Sequence, residues 1–198
     1  MSEFEALCVY CGSRPGARAS YVEGARELGH LLAERDIRLV YGAGSVGMMG
    51  EIADAVLDRG GKVTGIIPSG LHHKEGTHMG VTDLHVVSSM HERKAMMEEA
   101  SDGLIAMPGG YGTLDELFET LTWAQLGIHK KPVGLLNIDG YWDPMLAMVD
   151  HMNKEGFLAD GLRELIIDAT APAALLEAMA EFTPPKETIW RTSAEVKP

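Results

Sequence analysis

Three glycines in four residues, followed by a threonine and two carboxylates, are the strongest chemical signal in the chain: Met107-Pro108-Gly109-Gly110-Tyr111-Gly112-Thr113-Leu114-Asp115-Glu116. The run follows a short apolar stretch and opens a segment of helical period. Backbone amides of Gly109, Gly110, Tyr111 and Gly112, with the Thr113 hydroxyl, can cradle a phosphate at the positive end of a helix dipole. Glu116 falls one turn into that helix. It lies off the apolar stripe made by Leu114, Leu117, Phe118 and Leu121. Two carboxylates beside a phosphate cradle are unfavourable unless a positive charge must be stabilised nearby. Thr113-x-x-Glu116 is equally a capping box, in which Glu116 would satisfy a backbone N–H. The residues alone leave both roles open.

A second cluster is Ser88-Ser89-Met90-His91-Glu92-Arg93-Lys94. Ser89 and Glu92 fit a capping box and start a helix. Arg93 and Lys94 then fall in its first turns, where a cation opposes the dipole by about 0.3–1 kcal/mol. That mismatch suits an anionic ligand; solvated surface charge is the plain alternative. Tyr41-Gly42-Ala43-Gly44-Ser45-Val46-Gly47 matches G-x-G-x-x-G, a pattern that brings backbone close to a phosphate. A dinucleotide site also wants an acidic residue ending the next strand. Here Pro68-Ser69-Gly70 stands instead. The loop reads as a general phosphate contact or a structural turn, with NAD or FAD binding the weaker reading. Cys11-Gly12-Ser13-Arg14-Pro15-Gly16 places Ser13 and Arg14 where they could meet an anion, or forms an ordinary turn.

Two constellations invite metal or redox chemistry. His72, His73, Glu75 and His78 lie within seven residues, but their spacing is not H-E-x-x-H and glycines deny them a helix face. The segment reads as a loop over the site from which Glu75 could reach a ligand, with no metal. Cys8 and Cys11 form C-x-x-C, but Cys8 sits inside an apolar strand and no second cysteine pair completes a zinc site. Buried thiols in a reducing cytoplasm are expected.

These residues need elements to hold them. Short apolar runs at 6–11, 37–41, 62–67, 83–88, 103–107, 132–137 and 165–168 alternate with helical segments at 17–35, 47–59, 90–100, 113–127, 141–154 and 172–180. Strands apolar throughout are covered on both faces. Strict alternation implies a parallel sheet with right-handed crossovers. The predicted fold is a doubly wound, Rossmann-like α/β domain of about seven strands, with helices on both faces. Such sheets bind ligands beyond the carboxyl ends of their strands, where the glycine runs, the histidine loop and the Ser88 to Lys94 segment lie.

The whole chain of 198 residues carries a net charge of −12, which argues against nucleic acid as the main partner. No apolar run approaches the roughly 20 residues of a membrane span. The acidic start, Met1 to Glu5, lacks the basic stretch of a signal peptide. A cytoplasmic protein acting on a small molecule is expected. Periodicity ends at Thr183-Pro184-Pro185, leaving 183–198 as a tail in which Trp190 could dock on the domain or on a partner subunit.

The chain resembles the Lonely Guy (LOG) family of cytokinin riboside 5′-monophosphate phosphoribohydrolases. Pro108 to Glu116 matches the family's P-G-G-x-G-T-x-x-E in full, and Met90, His91, Arg93 and Lys94 match its M-H-x-R-K element. The Gly-Met-Met-Gly ending of the glycine loop and the stretch Trp123 to Gly134 are also similar. The resemblance spans about residues 5–182. It implies one nucleotide-binding catalytic domain over 1–182, forming a homodimer in which the helix carrying Trp123 would suit the interface. Members have also been labelled lysine decarboxylases; nothing in the sequence reads as a pyridoxal phosphate site, and that label is set aside.

The resemblance implies hydrolysis of the N-glycosidic bond of a nucleoside 5′-monophosphate, with Arg93 and Glu116 as the catalytic pair. It implies ligand contacts from Glu75, Arg93, Lys94, Gly109 and Gly110 through Glu116 (Tyr111, Gly112, Thr113, Leu114 and Asp115 included), and Thr122. Ser13 and Met90 are weaker candidates for the pocket lining. Thr122 lies nearly two helical turns past Glu116, so it would face the base or a partner subunit. The chemistry suits these residues: a departing base leaves positive charge on the ribose, which a carboxylate stabilises. No metal or redox cofactor is required. The alternatives are a non-catalytic carrier of a nucleotide or phosphorylated cofactor and, more weakly, an oxidoreductase using the glycine loop.

Overall fold

The computed structural model describes residues 4–72 and 76–185. His73, Glu75 and Trp190 lie outside the described residues. The elements run β1 (Ala6–Tyr10), α1 (Ala19–Glu34), β2 (Arg38–Tyr41), α2 (Gly47–Asp58), β3 (Val63–Pro68), β4 (Asp83–Val87), α3 (Met90–Glu99), β5 (Gly103–Ala106), α4 (Tyr111–Gln125), β6 (Val133–Leu136), α5 (Asp143–Lys154), β7 (Ile166–Ala169) and α6 (Pro172–Ala180). Single 3₁₀ turns at Ile138–Gly140 and Leu162–Leu165 precede α5 and β7. All seven strands are parallel, in the order β4-β3-β2-β1-β5-β6-β7. This is the doubly wound α/β sheet that the apolar runs predict.

Side chains alternate across each strand, and the sheet's two faces sort accordingly. Leu7 and Val9 of β1 join Leu28 and Leu32 of α1, Ile52 and Val56 of α2, and Leu175 and Met179 of α6. Cys8 and Tyr10 point the other way, packing with Val40, Ile66, Leu104 and Met97 of α3. Further along that face, Ala106 and Leu135 meet Leu117 of α4, and Trp142 and Val149 beside or on α5. The central strands β1, β5 and β6 are buried along their whole lengths. The edge strand β4, at the opposite side from β7, is largely exposed.

The connectivity positions the site. From β1 the chain winds outward to β4, then returns through α3 to β5 on the other side of β1. The loops leaving β1 and β5 therefore diverge at the point where strand order reverses, the usual ligand crevice of such sheets. Two backbone bonds tie these loops: Gly12 N to Pro108 O at 3.1 Å and Met107 N to Tyr10 O at 2.9 Å.

Helix α4 starts earlier than its Thr113-x-x-Glu116 pattern predicts. Gly110 is the N-cap, with φ −97° and ψ −151°, and Thr113 is buried inside the first turn. A capping box would need Thr113 at the helix boundary. Gly112 and Tyr111 instead extend the helix backward, and Leu114 N bonds to Gly110 O at 3.1 Å. Glu116 is thereby released from a capping role.

Candidate active site

Helix α3 begins as its sequence predicts. Ser89 Oγ accepts from the Glu92 amide at 3.2 Å, while the Glu92 carboxylate accepts from the amide and hydroxyl of Ser88 at 2.8 and 2.6 Å. This start lays Arg93 across the ends of two neighbouring strands. Arg93 Nε donates to Ile66 O at 3.1 Å and Nη2 to Gly42 O at 3.3 Å. Its Nη1 stands 3.2 Å from Glu116 Oε1. Arg93 and Glu116 are each only 8% exposed. The two residues paired on sequence grounds are thus an ion pair at the top of the sheet, joining α3 to α4.

Burial is the largest influence on Glu116. It pushes the carboxyl up from its ordinary 4.5 to about 7, against the pull of Arg93 and with help from the charges of Asp115 and Glu119. Near neutrality this group is therefore partly protonated. Cys8 and Cys11, buried and close to the same carboxylate, have their thiols pushed upward by burial and then by Glu116. They are inert thiols, and both are free.

Lys94 lies on the neighbouring face of α3. Its Nζ is 3.1 Å from Asp115 Oδ2 and 2.8 Å from Glu119 Oε2. Burial works most strongly against its charge, but the two carboxylates together outweigh it, and its pKa is raised. The ammonium is committed to α4. Glu119 was not among the residues expected at the site, although its place four residues after Asp115 puts both on one helical stripe.

At the N-terminus of α4, Gly110 and Gly112 have no other part of the chain within 4 Å of where a side chain would begin. Tyr111 is 93% exposed. The first-turn amides of a helix have no partners within it, so this end offers an accessible anion cradle. The Thr113 hydroxyl packs against Gly109 at the base of the cradle. A cavity of about 300 Å³ opens beside it, lined in part by Ser13, Arg14, Tyr21, Met48 and Tyr141. Tyr141 donates its hydroxyl to Gly109 O and packs edge-on against Tyr21. Neither tyrosine carried a signal in the sequence.

The remaining candidates separate. Met90 is 40% exposed at the start of α3. Leu114, in the first turn of α4, is partly buried. Thr122 does not face Glu116: its hydroxyl donates to Phe118 O at 2.6 Å, and it lines an open groove of about 570 Å³ with Leu114, Phe118 and Trp123. His78 pairs with Asp54 at 2.9 Å and accepts from Gly80 N, while Thr77 bonds to His72. Among the described residues, no group of three or more His, Cys, Asp or Glu is arranged to hold a metal ion. No described helix is long and apolar enough to cross a membrane.

Comparison with known proteins identifies the family. A family model described as "Possible lysine decarboxylase" matches residues 49–179. Cytokinin riboside 5′-monophosphate phosphoribohydrolase LOG of Oryza sativa subsp. japonica is 51% identical over 96% of this chain and 79% of its own length. Cytokinin riboside 5′-monophosphate phosphoribohydrolase LOG3 of Arabidopsis thaliana is 48% identical over 95% of this chain and 87% of its own length. Among solved structures, the molybdenum cofactor carrier protein of Chlamydomonas reinhardtii shares the fold with a TM-score of 0.65. It is 21% identical and is matched over 87% of this chain and 94% of its own. With half its residues shared along nearly its whole length, the chain belongs to the cytokinin riboside 5′-monophosphate phosphoribohydrolase (LOG) family.

Proposed function

We propose that this protein hydrolyses the N-glycosidic bond of nucleoside 5′-monophosphates, AMP or its N6-substituted cytokinin counterparts, releasing free base and ribose 5-phosphate. The observation that carries the reading is the buried Arg93–Glu116 pair, 3.2 Å apart, beside the open amides at the start of α4. The amides of Gly110, Tyr111 and Gly112 take the 5′-phosphate. That remote binding holds the ribose against Glu116. As the C1′–N bond breaks, its electron pair leaves with the base and positive charge develops on the ring. The Glu116 carboxylate stabilises that charge and positions the water that adds to C1′. The water's proton balances the charge left on the base. Arg93 holds Glu116 in place with its rigid planar fork. Gly109, Thr113 and Asp115 shape the cradle, with Ser13 and Met90 lining its edges. Lys94 acts through its hold on Asp115 and Glu119.

Glu116→Gln keeps hydrogen-bonding capacity and removes the charge. It should retain nucleotide binding while base release falls by roughly 10²–10³-fold or more. Chromatography of reactions with AMP and with isopentenyladenosine monophosphate measures the free base. Tight binding without free base from the wild-type protein would overturn the hydrolase in favour of a carrier.

We further propose a cytoplasmic homodimer joined through the outer face of α4. Tyr111, Phe118 and the groove with Trp123 leave that face apolar and open. The two free, buried thiols accord with a reducing compartment.

A further inference from the structure

The loop Gly42-Ala43-Gly44-Ser45-Val46-Gly47 has the spacing of a phosphate-binding turn, yet contacts within the chain account for each of its glycines. A side chain at Gly47, where φ is +61°, would begin 2.4 Å from the Ser13 carbonyl. One at Gly44 would strike the end of Met49 at 2.5 Å. One at Gly42 would begin 1.9 Å from Arg93 Nη2 and 3.1 Å from Arg93 Cζ. The cradle on α4 is the opposite case, since Gly110 and Gly112 face open space.

Gly42 directly follows the last residue of β2, and Ile66 belongs to the neighbouring β3. Their carbonyl oxygens accept from two nitrogens of one guanidinium, Gly42 O from Nη2 and Ile66 O from Nε, leaving Nη1 for Glu116. We propose that Gly42 is a positioning residue: its bare α-carbon and carbonyl, with the Ile66 carbonyl, form a socket that holds the Arg93 guanidinium against Glu116. The glycine loop then serves the catalytic pair through Arg93 and does not hold the substrate's phosphate. A planar guanidinium held by two main-chain carbonyls has little freedom to turn. A methyl group in the socket removes one of those bonds and the space for Nη2.

The obstructing atom is the end of a flexible side chain, so Gly42→Ala should fold and displace Arg93. The inference rests on the catalytic reading of Arg93, and a double-mutant cycle with Arg93→Ala separates the two. Expected for Gly42→Ala are a melting temperature within a few degrees of wild type and a kcat lowered by about 10²-fold, the scale of losing one preorganised donor. The acid limb of its pH profile should move upward, because a displaced Arg93 no longer draws the Glu116 pKa down. In the Arg93→Ala background, Gly42→Ala should have no further effect. Wild-type turnover by Arg93→Ala would overturn the role of Arg93, and the socket with it. A damaged Arg93→Ala beside a fully active Gly42→Ala, or additive losses in the double variant, would overturn the socket alone. If Gly42→Ala melts much lower than wild type, restored melting in the double variant supports the clash with Arg93. Failure to restore it overturns the proposal.

Discussion

Glu116 carries the sharpest conflict in the molecule, between a buried site that favours the neutral acid and the proposed reaction, which needs an anion. Its folded pKa of about 7 lies above its ordinary 4.5. The native state therefore holds a proton that the unfolded chain has already released. The stabilisation is complete below about pH 4.5 and is lost as pH rises through about 7. Relative to Glu116→Gln, the wild type should lose about 3 kcal/mol of stability between pH 4.5 and 8. Urea denaturation of both proteins at those two pH values measures this, and parallel curves would show that the carboxyl is not perturbed. An ionised Glu116 also predicts that kcat/KM rises with pH up to about 7 and then levels. A rate that falls above 7 would make Glu116 an acid that protonates the departing base. At the neighbouring strand end, Ala43 is buried with φ +59°, a conformation that costs a non-glycine residue roughly 1–2 kcal/mol. Ala43→Gly relieves that strain and adds about 0.5–1 kcal/mol of chain entropy cost. The net should be neutral or stabilising by up to about 1.5 kcal/mol in the same denaturation assay.

At the scale of elements, α3 and α4 must stay in register for Arg93 to meet Glu116. Lys94 supplies a second tie through Asp115 and Glu119. Removing it leaves two carboxylates beside a third. Asp115 is well exposed, so much of its charge stays solvated and the expected stability loss for Lys94→Met is modest, about 1–2 kcal/mol. The clearer sign is kinetic: Glu116 becomes harder to ionise, and the acid limb of the pH profile moves upward. An unchanged limb would reduce Lys94 to packing alone. This is also the scale at which the sequence was most legible. A sheet covered on both faces requires unbroken apolar strands at its centre, so β1, β3, β5 and β6 stood out, and capping at Ser89 marked the start of α3 to the residue. Helix α4 was placed two residues too late in the chain, at 113–127 rather than Tyr111–Gln125, because a threonine-glutamate box suggested a start that glycines could displace. Arg93 and Glu116 were legible as residue types in place, but their contact spans two helices brought together by a strand crossover. The Gly42 and Ile66 carbonyls that hold Arg93 belong to the main chain and carry no side-chain signature. A glycine that makes room for a guanidinium and one that makes room for a phosphate look alike until the neighbours are known.

For the whole molecule, one chain holds the open amides at the start of α4, Arg93 and Glu116 on the edges of a single crevice, yet Thr122 is turned outward into the groove on α4. Helical geometry forbids Thr122 and Glu116 from sharing a face, since six residues advance the helix by about 240° beyond one full turn. If Thr122 contacts a nucleotide, as the family resemblance implies, it does so in the crevice of a second copy seated on that groove. Apolar Phe118 and Trp123 lie beside it. Phe118→Asp places a charge in the proposed contact without touching Arg93, Glu116 or the amides of Gly110 and Gly112. Light scattering should show the wild type as a dimer and this variant as a monomer. The monomer should keep its melting behaviour within a few degrees but show a raised KM, with kcat affected less. Thr122→Ala should raise KM in the dimer and leave the monomer's KM unchanged. A monomeric wild type would remove the interface. A monomeric Phe118→Asp with wild-type KM would show instead that each chain completes its own site, with Thr122 serving α4 alone.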